Sequence, residues 1–594
     1  MKFSTWMTGI PLFWFMASGI LFGANLYETR IYEPVVLQGS QIDGSIGMPV
    51  DALYVFAYKN GDWEMIPFQI DERARLSDPD LTKEETDRWR HFYMIANTNP
   101  DYVRSDPDPA FDKDDELTFM VRDCGDKAPD DAWIDNEEAK IHDRIDLKIE
   151  NAEGDVAYAY IFQSGTLSMP GEVANRYGMQ FDPVTHTVQS SVYSIWMNQD
   201  DGLITDLLFK PGFGTGQDIF DAQKFRMNGY IQYGNLPLEF GPERNDAPSA
   251  TEVILYMHEN SKYLSYTENP VVRVVREVRY AIGSNQGKYG DEGTEFYVKT
   301  KFYPYSGSFE GGAVLDPDSI KAALGDDAVD VDIRVDYLRQ SWDFNSNATG
   351  MQFFNHNNSG IMVDGIPDNI DLTVDDPAEG MPLQSWSLVT GDQGSLFTLF
   401  SFQKSTWDEI SLYYWDDKNG YQMDEDLLNA DDSGYEFGSY GDNGLRFVNT
   451  RDESKAVNLD FSFTAFLLAS NQTRQMAETL VQWVNDTLNV TDSMMETAVA
   501  YPHHNQPAAF GLTQNYPNPF NTVTRIQFNL HRKNQVQITV HDLAGKQVAH
   551  LMDTTLPAGS HHILFDASDL SSGVYIVCLK TPDRLDQRKL ILLK

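Results

Sequence analysis

The sequence predicts a mainly β protein: a multidomain β-sandwich body with a few helices, then a C-terminal immunoglobulin-like β-sandwich. Three observations carry that prediction. Short runs rich in Val, Ile, Tyr and Phe alternate faces or are wholly apolar, as strands of packed sheets should be. Clusters of Gly, Asn, Asp and Pro punctuate them. The chain has 594 residues, well beyond the roughly 250–300 at which one hydrophobic core stops growing, so several domains are required.

Residues 1–24 read as an export signal. After Lys2 the run Ile10–Phe22, IPLFWFMASGILF, has the length of a signal-peptide apolar core and falls short of the ~20 residues a membrane-spanning helix needs. Small residues follow at Gly23 and Ala24, and no later stretch is long and apolar enough to cross a bilayer.

Residues 25–167 form an expected N-terminal β-rich domain. Ala52–Tyr58 is strand-like, Asn60-Gly61 offers a tight turn, and Trp63–Ile70 continues as the second arm of a hairpin. Thr82-Lys-Glu-Glu85 fits a capping box opening a short helix toward Arg90. Ile145–Ile149 and Ala157–Phe162 pair as strands across the Glu153-Gly-Asp155 turn.

Residues 168–500 continue as a central sandwich-rich region. Strand signals stand at Glu252–Met257, Val271–Tyr280, Glu295–Phe302, Ser395–Phe402 and Leu459–Leu468. Met476, Leu480, Val481, Val484 and Leu488 recur at helical spacing, which predicts one amphipathic helix.

Residues 501–512, polar and marked by Pro502 and Pro507, read as a linker, and residues 513–594 as an independent unit. Charge supports that division. The whole chain carries −44, of which residues 513–594 contribute +3 and the remainder −47. Six or seven short strands fit into those last residues, with turns at Ala544-Gly545, Pro557-Ala-Gly559 and Ser571-Ser-Gly573.

Composition also excludes. A strongly acidic body opposes phosphate backbones, whose binding depends on Lys and Arg releasing counterions, so nucleic acid is an unsuitable partner. Only Cys124 and Cys578 are present, and they fall in different expected domains, so no disulfide framework organises the fold.

The stretch Asn515, Tyr516, Pro517, Asn518, Pro519, Phe520, Asn521 opens the terminal unit. Its prolines lack N–H donors and bias their neighbours to extended geometry, which predicts a segment lying along a sheet edge without extending the ladder. Together with VHDLAGKQVAHL, LPAGSHHILFDASDLSSGVYIVCL and the basic end RKLILLK, this tail resembles the type A C-terminal sorting domain of the type IX secretion system. The resemblance implies passage to the periplasm, then export through the outer membrane by the type IX machinery, with release or surface attachment. It carries no catalytic residue.

Chemistry in the body is fainter. Asp112, Asp114, Asp115 and Glu116 precede the strand-like Leu117–Val121 and form a candidate Ca²⁺ site, since Ca²⁺ tolerates irregular oxygen-rich loops. The EF-hand pattern fails there, and a solvated acidic turn is the alternative. Asp424–Asp426 with Asp431 and Asp432 is a second, weaker version. Asp71, beside Glu72 and Arg73, reads as a salt-bridged strand end. Trp342, Phe344, Asn355, His356 and Asn357 make an aromatic and amide-rich stretch suited to stacking on and hydrogen-bonding a sugar, with core aromatics and loop amides as the alternative. Ile66–Asp71 and Asp114–Met120 resemble uncharacterised β-domains found beside polysaccharide-degrading enzymes, a resemblance that assigns no active-site residue. Three roles stay open for the body: binding extracellular polysaccharide or another surface component, a polysaccharide lyase or glycoside hydrolase, and a structural protein of the cell envelope.

Overall fold

A computed structural model describes residues 25–74, 92–93, 96–97, 110–113, 115–198, 203–233, 236–240, 263–267, 270–282, 294–312, 314–315, 331–374, 383–402, 407–419, 421–423, 435–449, 457–458, 461–495, 511–512, 515, 518, 520–530, 534–542, 546–556, 559–568, 570–582 and 584–594. The expected export signal, the Thr82 helix, the strand Glu252–Met257, the second acidic cluster and most of the linker lie outside these residues. The chain divides into two compact units, Met1–Ala498 and Val499–Lys594. Among the described residues no helix is long and apolar enough to cross a membrane.

The first unit is built from antiparallel sheets. A three-stranded sheet in the order Pro34–Gln38, Glu116–Met120, Phe68–Asp71 faces a five-stranded one in the order Asp62–Met65, Leu53–Lys59, Val156–Gln163, Arg144–Glu150, Asn489–Met495. Their shared core includes Val35, Leu37, Val55, Phe119, Leu147 and Tyr160. The expected hairpin forms, with Asn60 and Gly61 at φ 54° and 90° in the left-handed region its tight turn demands. Its second arm is two strands rather than one. Pro67 can donate no ladder hydrogen bond, and the chain changes sheet there, from Asp62–Met65 to Phe68–Asp71.

A ten-stranded sheet runs through Leu383–Gly391, Gly394–Phe402, Phe461–Leu468, Ser306–Gly312, Thr294–Phe302 and Val274–Ile282. It shares a core with a five-stranded sheet that includes Phe220–Tyr233, Val331–Phe344 and Asp442–Val448. Phe309, Phe463 and Phe400 point into that core. Side chains alternate along a strand, so Phe397, Leu399, Phe466 and Leu468 point to the opposite face, where the helix Arg474–Asn485 covers them with Ala477 and Leu480. Thr473 caps this helix by accepting the Met476 N–H at 3.3 Å.

The second unit is a two-layer sandwich with its own core. Gly511–Leu512, Val523–Leu530 and Gly559–Asp566 form one sheet; Gln547–Leu556, Asn534–Asp542, Gly573–Lys580 and Leu585–Leu592 form the other. Phe528, Ile538, Val577 and Leu590 fill the space between.

Candidate functional site

The aromatic stretch does not form a surface. Trp342 is 3% and Phe344 1% exposed. The Trp342 ring sits edge-on to Phe463 at 5.2 Å and tilted against Phe220 at 5.5 Å, so neither ring offers a face to a ligand. Asn355 is buried, and its Oδ1 accepts from the backbone N–H groups of Asn357 and Asn358 at 3.0 and 2.6 Å, closing a turn. Asn357 is exposed, and its amide donates to the Thr373 carbonyl at 2.8 Å. His356 Nε2 lies 3.3 Å from the same carbonyl. These amides hold a loop together.

The acidic run also departs from the expected calcium site. Glu116 Oε2 accepts from Arg273 Nη2 at 2.7 Å, and Asp115, fully buried, accepts the Asp112 N–H at 2.8 Å. Asp114 lies outside the described residues. Among the described residues no three of His, Cys, Asp and Glu are grouped to hold a metal ion. The partner of Glu116 is instead Arg273, itself completely buried. Its Nε donates to Asp71 Oδ2 at 2.6 Å, and Asp71 and Glu116 stand directly opposite each other on paired strands. Gln69 completes the cluster: its Oε1 accepts the N–H groups of Val271, Val272 and Arg273, while its Nε2 donates to Asp71 at 2.7 Å. The ionic character expected of Asp71 therefore comes from a residue some two hundred positions away.

A second buried cluster crosses the five-stranded sheet of the central region. Lys224 Nζ lies 2.8 Å from Asp343 and 3.9 Å from Asp442, and Ser439 Oγ donates to Asp343 at 2.9 Å. The Arg339 guanidinium stacks on Tyr413 at 4.3 Å. Burial pushes the Asp442 carboxyl up, and the neighbouring Asp343 adds to the effect. Lys224, Asp343 and Asp442 are 3%, 1% and 0% exposed, which makes this an internal network.

Concavity occurs elsewhere. A groove of about 370 Å³ runs between the strand Pro34–Gln38, the strands Ser306–Gly312 and Phe461–Leu468, and the end of the helix Arg474–Asn485. Register explains its floor. Ser308 stands opposite Thr464 and Ser306 opposite Phe466, so all four side chains share the sheet face turned toward the helix. Val36, Val484, Leu488 and Val490 supply apolar walls, and Gln41 a polar rim. Trp483 lies one turn after Leu480 at the edge of the helix's apolar stripe, which leaves it half-buried along the groove with its ring 6.4 Å from that of Tyr32.

Glu33 is the one acidic residue among those lining this space, and its side chain is 18% exposed. Behind it, Arg30 is 3% exposed and bridges two chain segments. Its Nη1 donates to Glu33 Oε2 at 3.1 Å and to the Asp486 carbonyl at 2.8 Å; its Nη2 donates to Asp486 Oδ2 at 2.7 Å. Asp486 ends the helix, so the guanidinium satisfies a terminal carbonyl and meets the negative end of the helix dipole. Burial pushes the Glu33 carboxyl up to about 7; the Arg30 charge opposes this and that of Asp486 reinforces it. An apolar-walled cleft with hydroxyls, a half-buried indole at its edge and one acidic residue whose carboxyl is pushed up to about 7 can bind a polar ring compound and can donate or accept one proton.

In the second unit the described part of the opening motif lies along the last strand, and contrary to the expectation it extends the ladder at one point, where Phe520 forms a parallel bridge with Leu592. Asn518 lies along the last strand, its Oδ1 accepting the Ile591 N–H at 2.8 Å and its Nδ2 donating to the Lys589 carbonyl at 3.1 Å. The side-chain amide thereby substitutes for a neighbouring backbone. Phe520 N–H donates to the Ile591 carbonyl and its own carbonyl accepts from Leu593, both at 2.9 Å. Asn515, buried, donates to Thr524 Oγ1 at 2.8 Å, and the Asn521 carbonyl accepts from Val523 N–H. Tyr516, Pro517 and Pro519 lie outside the described residues. The family model "Secretion system C-terminal sorting domain" matches residues 514–593.

The tail is a type IX C-terminal sorting domain.

This sorting domain addresses the chain to the type IX secretion machinery, and so to the cell surface or the extracellular space. Upstream of the sorting domain the comparisons give loose likeness alone. No curated protein matches the chain. Among solved structures, an alpha-mannosidase from Enterococcus faecalis V583 is similar at 11% identity and a TM-score of 0.31, covering 90% of this chain and 54% of its own. This chain thus spans about half the length of that enzyme. A galactose mutarotase-like protein from Clostridium acetobutylicum is similar at 8% identity and a TM-score of 0.24, covering 48% of this chain and 95% of its own.

Proposed function

We propose that the body binds extracellular carbohydrate in the groove between Pro34–Gln38, Ser306–Gly312 and the end of the helix Arg474–Asn485, after an N-terminal signal has carried the chain to the periplasm and the sorting domain has taken it outward. One observation carries this reading. Trp483, half-buried, shares a single cleft with Ser308 and Thr464, both half-buried. Pyranose rings present an apolar C–H face and a polar edge, and an aromatic plane beside hydroxyl groups meets both.

A second reading rests on Glu33. A carboxyl held near pH 7 inside a cleft is matched to general acid chemistry, which favours a polysaccharide lyase or glycoside hydrolase using Glu33 as the proton donor. A glycan array on the purified mature chain, followed by reducing-end and unsaturated-product assays on each bound polymer, separates the readings. Binding without turnover supports the first. Turnover that Glu33→Gln abolishes supports the second. Neither binding nor turnover supports a structural role in the cell envelope.

A further inference from the structure

Resting on the carbohydrate reading of the groove, we propose that its ligand is a neutral polysaccharide, and that chains bearing uronate or sulfate groups are excluded.

The lining chemistry argues for it. Among the described residues that form the groove, Glu33 is the only charged one, and none is Lys, Arg or His. Recognition of carboxylate or sulfate calls for guanidinium or ammonium donors, which pair with such groups in short, charge-assisted hydrogen bonds. Arg30 is nearby but closed to a ligand: it is 3% exposed, and its terminal nitrogens donate to Glu33 and Asp486. An anionic sugar seated on Trp483 would therefore bring its charge against a carboxyl, with no accessible cation among the described lining groups to offset it.

Charge at longer range acts in the same direction. Residues outside 513–594 sum to −47, and a polyanion nearing such a surface is repelled over about a Debye length, ~10 Å at 0.1 M salt. A neutral chain feels neither effect. Sugar hydroxyls both donate and accept hydrogen bonds, and they meet groups that do the same in Ser308 and Thr464. Glu33 joins that set, because a carboxyl titrating near 7 accepts when ionised and also donates when protonated.

The test is affinity electrophoresis of the mature full-length chain in 0.15 M salt. Gels would contain neutral polymers (mannan, xyloglucan, mixed-linkage glucan) or anionic ones (alginate, polygalacturonate, carrageenan). The expected result is retardation by at least one neutral polymer and by none of the anionic ones. Trp483→Ala should weaken that retardation at least tenfold. Ser308→Ala, which removes one hydroxyl and disturbs no packing, should weaken it several-fold, so the result does not hinge on how well the tryptophan variant folds. Retardation by an anionic polymer that both substitutions weaken would overturn the neutral assignment while leaving the groove as the site. Retardation by no polymer, or retardation indifferent to both substitutions, would remove the groove reading and this inference with it.

Discussion

Arg30 Nη2 lies 2.7 Å from Asp486 Oδ2, joining residues 456 positions apart. The contact holds the approach to the first strand against the end of the only long helix among the described residues, and the groove opens beside it. Arg30→Ala removes the donors to Glu33, to the Asp486 carboxylate and to its carbonyl. Hydrogen bonds to charged groups contribute about 1.5–3 kcal/mol, and a loss of that order should appear as a lower first thermal transition. Hydrogen exchange in the helix Arg474–Asn485 should quicken more than in the distant strands of the first unit. Uniform exchange across that unit would show that the bridge does not hold the helix.

Glu33 should make stability depend on pH, and the sign follows from burial. Its folded carboxyl titrates near 7 against an ordinary value of 4.5. Between these pH values the folded chain keeps a proton that the unfolded chain has released, so raising pH through the window destabilises the fold. The shift corresponds to a penalty on the order of 3 kcal/mol once complete. Glu33→Gln cannot ionise and escapes that penalty. Melting measured from pH 4.5 to 8 should therefore show the variant gaining on the natural chain as pH rises. A gap independent of pH would contradict the assignment.

Arg273 is fully buried between Asp71 and Glu116. Arg273→Met leaves two carboxylates opposite each other without their cation, and breaking a buried pair in this way costs about 3–5 kcal/mol. Calorimetry should show a lower body transition. Adding Asp71→Asn and Glu116→Gln to the same chain should restore part of the loss, because the stranded charges are then gone. No recovery would mean that the cluster acts through packing rather than charge.

In the sorting domain, Asn518→Ala deletes the amide that pairs with the Ile591 N–H and the Lys589 carbonyl. A net loss of about 1–2 kcal/mol is expected for two hydrogen bonds at a sheet edge. Exchange at the Ile591 amide should accelerate at least severalfold, while the Val577 amide in the neighbouring strand stays protected. An unchanged rate at Ile591 would show that the asparagine is not what holds the last strand.

What the sequence revealed and what it hid divide along one physical line. The tail was legible because its signals are local: prolines fix their own backbone, turns sit between short strands, and the motif from Asn515 to Asn521 meets a strand of the same small unit. The helix was legible from the spacing of Met476, Leu480 and Val484, and the hairpin from Asn60-Gly61. The groove was not, because Glu33, Ser308, Thr464 and Trp483 meet only through strand register and helix docking, neither of which periodicity specifies. The same blindness explains the acidic run. Glu116 resembles a calcium ligand until Arg273 is placed beside it, and nothing near residue 116 announces that partner. Trp342 and Phe344 stayed open between a binding surface and core because a strand buried on its aromatic face and one exposed there read alike in a single sequence.

A crystal structure of the protein grown with a neutral oligosaccharide is the decisive measurement for the groove. A sugar ring should lie flat on Trp483, with hydroxyls within hydrogen-bonding reach of Glu33 and Ser308. An ordered oligosaccharide bound elsewhere on the body, with the groove holding only solvent, would contradict it.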